Sequence, residues 1–131
     1  MMFVAMLTGC RSSGIESSTH ESLDGFSPPV APQWAKDEGF TGNPKALAGA
    51  RIFAQVGCLQ CHTYLDTGSS NLGARDLSAI GKDSSRGVAG FAAYVADPSK
   101  FGDDVMPTFK ALGRTHLMEL GEFLDASKGR R

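Results

Sequence analysis

A chain of 131 residues holds one domain with an appendage. With 41% hydrophobic and 21% charged residues it can bury a core, which excludes wholesale disorder. A formal net charge of −1 gives no reason to expect nucleic acid as a partner, and no apolar run reaches the roughly 20 residues that span a bilayer. Charge is unevenly spread: Arg11–Asn43 sums to −3 and Pro44–Arg131 to +2, so an acidic tether leads into a mildly basic domain.

The N-terminal segment is apolar from Met1 to Leu7 and then reads Leu7-Thr8-Gly9-Cys10. It resembles a bacterial lipobox, in which small residues behind an apolar stretch precede an acylated cysteine. Residues 1–10 are therefore expected to be the remnant of a lipoprotein signal, with Cys10 as the lipidation site. The positive n-region of such signals is missing, and a true start codon upstream of Met1 is expected. Residues 11–43, rich in Ser, Glu, Gly and Pro, show no lasting period and are expected to form a flexible tether. Trp34, the one tryptophan, is expected to pack back on the domain and is given no function.

The folded domain is expected over 44–131, and its fold class is all-α. Asn43 is a helix N-cap with Pro44 at the first helical position, where its missing N–H costs nothing. Ala46, Gly49, Ala50 and Phe53 follow on one face at helical spacing, and Gly57 ends the helix. A loop rich in Gly, Ser and Asp spans Asp66 to Asp76. A short helix is expected from Val88 to Ala96, closed by Asp97-Pro98. The last helix starts with Thr115 as N-cap, carries Leu117, Leu120, Phe123 and Leu124 as an apolar stripe, and stops at Lys128-Gly129.

Cys58-Leu59-Gln60-Cys61-His62 is Cys-x-x-Cys-His, the haem c attachment signature, expected by chance on the order of 10⁻³ times per chain. Two thiols three residues apart on one turn can each add to a haem vinyl group. The next residue, His62, is then carried under the ring so that its imidazole reaches the iron. Three other uses of these residues are weighed. A thioredoxin-like pair needs a strand-to-helix junction in a βαβ unit. A zinc site needs two further ligands, and only Cys10, His20 and His116 remain. A disulfide leaves His62 without a role.

For the second axial ligand the candidates are Met106, Met118, His116 and His20. His116 and Met118 fall at the start of and within the last helix, and His20 in the tether. Met106 is favoured because Gly102–Phe109 is irregular and Pro107 biases Met106 toward extended geometry, so a loop can present the sulfur inward.

Over about Pro44 to Lys128 the chain resembles class I monohaem c-type cytochromes, in the bacterial membrane-anchored form. Gly49-Ala50-Arg51-Ile52-Phe53 is similar to the family's N-terminal helix and Leu120-Gly121-Glu122-Phe123-Leu124 to its C-terminal helix. The resemblance implies that these two helices cross with Gly49 at the contact and Phe53 and Phe123 nearby. Cys58, Cys61 and His62 match the haem site, Met106-Pro107 the distal methionine and its proline, and Asn71–Gly81 the loop on the His side. Where many relatives have a proline whose neighbouring carbonyl accepts the imidazole N–H, this chain has Arg75.

The expected cofactor is thus one covalent haem c with its iron, bonded through Cys58 and Cys61 and ligated by His62 and Met106. With both axial positions filled, the expected function is one-electron transfer rather than catalysis. Expected partners are redox proteins of a respiratory chain, and the membrane through a lipid on Cys10. A monomer is expected, exported to the outer face of the cytoplasmic membrane or the periplasm. Two alternatives are a haem enzyme or gas sensor, if Met106 does not ligate, and a fixed electron-entry subunit of an oxidase.

Overall fold

The computed structural model describes residues 30–129, with side chains from Gln33 onward. The segment ending at Cys10, His20 and residues 11–29 of the expected tether lie outside the described residues. The chain is mostly helical, as its periodicity predicts. In chain order come α1 (Val30–Glu38), α2 (Pro44–Gln55), α3 (Ile80–Asp83), α4 (Gly87–Ala96) and α5 (Arg114–Ala126). Short 3₁₀ turns cover Cys58–Gln60, Pro98–Phe101 and Lys110–Leu112. Among the described residues the one sheet is a two-residue antiparallel pair, β1 (Thr63–Tyr64) with β2 (Thr67–Gly68), pairing Thr63 with Gly68 and Tyr64 with Thr67. None of the described helices is long and apolar enough to cross a membrane.

Helix α2 forms where its caps direct: the Asn43 side chain accepts the Ala46 N–H at 3.1 Å, and Pro44 opens the first turn. Beyond it Gly57, at φ +94°, turns the chain into the Cys58–Gln60 turn. Helix α5 begins one residue before the expected cap, with Gly113 in that position rather than Thr115, and α4 begins at Gly87 rather than Val88. Neither shift changes which face is buried.

The tether is corrected from Val30 onward. Residues 30–38 form α1, and Trp34, Ala35 and Phe40 are core residues, Trp34 only 3% exposed. An indole buries enough apolar area to offset the entropy of ordering a short helix. Trp34 lies 4.7 Å from Tyr64 and 5.8 Å from both Phe53 and Phe123, ring centroid to centroid. Phe53 and Phe123 are themselves 5.1 Å apart. At the end of this cluster the Tyr64 hydroxyl and Ser127 Oγ share a hydrogen bond at 2.7 Å, and Ser127 Oγ lies 2.8 Å from the Phe123 carbonyl. Buried Glu38 accepts the Lys128 N–H at 3.0 Å and joins α1 to the C-terminal end of α5.

Helix α5 is the central element, packed against both α2 and α4. A Cβ added at Gly49 would overlap the Glu119 carbonyl, and one at Gly121 would overlap the Val88 carbonyl. Glycine at both positions lets backbone meet backbone, which accounts for a residue that otherwise costs about 1 kcal/mol in a helix. Along α5, Phe123 joins the aromatic cluster, Leu120 is fully buried, and Leu124 lines a cavity.

Two outcomes are expected. Gly49→Ala destabilises the domain by about 2 kcal/mol or more, because backbone rather than a flexible side chain must move. Trp34→Ala costs about 3 kcal/mol or more, although it lies outside the 44–131 segment. Denaturant melts of the purified protein check both; a Trp34→Ala midpoint equal to the native one would return residues 30–43 to a tether.

Candidate functional site

Cys58, Cys61, His62 and Met106 line one cavity of about 770 Å³. That volume falls in the roughly 300–1,000 Å³ range of small-molecule and cofactor sites, in an interior that otherwise packs densely. Its apolar walls are Leu77 and Ile80 near α3, Phe91 and Val95 on α4, Leu124 on α5, and Pro107 and Phe109. Polar groups collect at Asn71, Arg75, Ser84, Ser85, Arg86 and Asp103.

The cysteine segment is set by local hydrogen bonds. The Cys58 carbonyl accepts the N–H of Cys61 at 3.2 Å and of His62 at 2.9 Å, coiling the five residues into one tight turn. The loop that follows folds back on it: Asn71 N–H donates to the Cys61 carbonyl at 3.0 Å, and Asn71 Nδ2 to the Gln60 carbonyl at 2.5 Å. This loop delivers the Arg75 carbonyl to within 2.7 Å of His62 Nδ1. A carbonyl only accepts, so Nδ1 carries the proton and, in the neutral ring, Nε2 keeps its lone pair for a metal. Arg75 in place of proline leaves this bond intact, since the acceptor is backbone.

Asp76 braces the same loop. Its carboxylate accepts Thr63 Oγ1 at 3.0 Å, Ser78 N–H at 2.8 Å and Ser78 Oγ at 3.1 Å. Partial burial opposes ionisation, but these bonds and neighbouring Arg75 win and hold the carboxyl below its usual range.

Cys58 and Cys61 are free thiols, each half-buried. Burial pushes the Cys58 thiol up to about 12, outweighing a backbone hydrogen bond that pulls the other way. Thioredoxin-like cysteines are activated by the opposite shift, and the segment follows a helix rather than a strand of a βαβ unit. Among the described residues no three His, Cys, Asp or Glu side chains converge so as to hold a metal ion by themselves. Cys58, Cys61 and His62 thus lack the closed geometry of a structural zinc site.

Of the other candidate ligands, Met118 lines a separate groove between α4 and α5, and exposed His116 has Nδ1 3.2 Å from the Leu112 carbonyl; neither lines the cavity. Met106, half-buried in the loop between the last two 3₁₀ turns, does. Tyr94, Arg86 and Asp103 also line it, and the sequence reading gave them no role. Asp103, three residues ahead of Met106, carries a turn signal that could have been read.

Comparison of the chain with protein-family models, with curated proteins and with solved structures returned no match.

Because the folded-state pKa of Asp76 is lowered, its contribution is present above the unfolded aspartate value near 3.9 and is lost as pH falls through the folded one. Asp76→Asn is therefore expected to lower stability at pH 7 by under about 1 kcal/mol, given the exposure of the group. The gap to the native protein should begin to narrow below about pH 4 and be smaller at pH 3.5 than at pH 7. Urea melts at pH 7 and pH 3.5 check it.

Proposed function

We propose that this chain is a class I monohaem c-type cytochrome that carries single electrons between membrane-associated respiratory partners. The observation that carries the proposal is the convergence on one apolar cavity of two free thiols, a histidine with Nε2 available, and a thioether from a loop 44 residues further along. These donors fit haem c: Cys58 and Cys61 for the covalent bonds, His62 and Met106 for the axial positions. Such a haem, when bound, supplies one-electron exchange between ferric and ferrous iron.

Each neighbouring group has a task in that setting. The Arg75 carbonyl orients the His62 ring and fixes the proton on Nδ1, so that Nε2 would face the iron as donor. Leu77, Ile80, Phe91, Val95 and Leu124 give the cavity apolar walls, which would exclude water from a bound haem and favour its less charged, reduced form. With His62 and Met106 both holding the iron, no position would be left for oxygen or a substrate, which would separate a carrier from a haem enzyme or gas sensor. Leu72 and Val105, 77% and 61% exposed, stand at the cavity lining and offer a small apolar contact surface of the kind that brief redox encounters use. Acylation of Cys10 would hold the carrier at the outer face of the membrane; a monomer suffices for this function.

The cofactor also bears on stability. The walls of a cavity this large lose dispersion contacts wherever no ligand atoms meet them. Cofactor-free protein is expected to lack a cooperative thermal transition, as followed by calorimetry.

An alkaline pyridine haemochrome spectrum with intact mass tests the assignment: one haem retained through acid–acetone is expected, and none in a Cys58→Ala, Cys61→Ala double variant. In the oxidised native protein the weak near-infrared sulfur-to-iron band is expected, and Met106→Ala abolishes it. A native spectrum without that band would favour the haem enzyme or sensor. Co-purification with an oxidase after gentle detergent extraction would favour the fixed subunit.

A further inference from the structure

The loop bearing Met106 is tied at both ends to the C-terminal half of α4. After the methionine, Phe109 N–H donates to the Val95 carbonyl at 3.2 Å and Thr108 Oγ1 to the Ala96 carbonyl at 2.5 Å. Before it the tie is a single carboxylate. Asp103 Oδ2 accepts the Tyr94 hydroxyl at 2.6 Å, and Asp103 Oδ1 accepts the N–H groups of both Val105 and Met106 at 3.0 Å. The methionine's own amide is thus held by a side chain reaching from α4 through one intermediary.

Tyr94 is itself held. The Arg86 guanidinium lies 4.5 Å from its ring centroid, and the Phe101 ring packs on it at 5.3 Å. Packing alone does not hold the loop, because Asp104 and Val105 are exposed. Hydrogen bonds to an ionised carboxylate are roughly twice as strong as neutral ones, so Asp103 is suited to fix the loop even in contact with solvent.

We propose that Asp103, oriented by Tyr94, is the positioning residue that keeps Met106 at the cavity and so sets how readily another ligand replaces its thioether. The inference rests on the electron-carrier assignment above and on Met106 as an axial donor.

The experiment titrates the oxidised holoprotein with imidazole and follows loss of the near-infrared sulfur-to-iron band. Asp103→Ala is expected to tighten imidazole binding about tenfold and Tyr94→Phe about threefold. Asp103→Asn, whose amide oxygen still accepts both N–H groups but without the charge or the second acceptor for Tyr94, should fall between the native protein and the Ala variant. Thermal midpoints of the same samples separate positioning from general stability. Lowered midpoints with unchanged imidazole affinity would overturn the proposal, as would an Asn variant indistinguishable from the Ala variant. Should Asp103→Ala fail to fold, an unchanged affinity in Tyr94→Phe overturns it by itself. A native holoprotein lacking the band would remove the Met106 assignment and this proposal together, a failure distinct from that of the clamp alone.

Discussion

The close approach of α5 to its neighbours is the constraint on which the rest depends. At Gly49 and Gly121 the space beside the backbone is filled by carbonyls of other segments, so no side chain of any size is accommodated there. With α2 on one flank and α4 on another, α5 contributes Phe123 to the aromatic cluster and Leu124 to the cavity wall. One helix therefore serves as floor for the core and as wall for the site. A shift of α5 large enough to admit a methyl group would disturb both at once, because closely packed interiors transmit strain rather than absorb it.

From that frame the site is assembled in two parts of different character. Cys58, Cys61 and His62 are carried by one turn whose shape comes from hydrogen bonds within five residues, then braced by the 69–77 loop. Met106 instead depends on distant support: Tyr94 and Ala96 of α4 hold its loop from both ends. The first part is rigid by local geometry. The second is held by a few polar bonds at the surface, the kind of segment that opens before the core does. For the proposed electron carrier this division has a use. In that proposal Cys58, Cys61 and His62 would anchor the cofactor, and the loop bearing Met106 would decide whether the iron is left open to other ligands.

The N-terminal segment is drawn into the same economy of packing. An acidic, proline-bearing stretch contributes the indole that completes an aromatic cluster and a buried carboxylate that closes the end of α5. Any membrane anchor at Cys10 would thus be joined to a folded domain that begins by Val30.

Local chemistry was legible in the residues themselves. Cys-x-x-Cys-His states its own geometry because its five residues are neighbours; Asn43-Pro44 and the α5 stripe announce helices because caps and periodicity act within one or two turns. Met106 was legible for a weaker reason, as a methionine before proline in a stretch with no helical period. The structure alone decided what depends on residues far apart in the chain. It drew Trp34 into the core, since one indole in a polar segment carries no period to reveal its partners 19 to 89 residues away. It brought the Arg75 carbonyl to His62, a contact of backbone that side-chain identity does not encode. It joined Asp103 to Tyr94 across a turn, and it brought four donors to one cavity. Sequence specifies what each segment can do with its neighbours, whereas the meeting of separate segments is settled by which surfaces can be buried together.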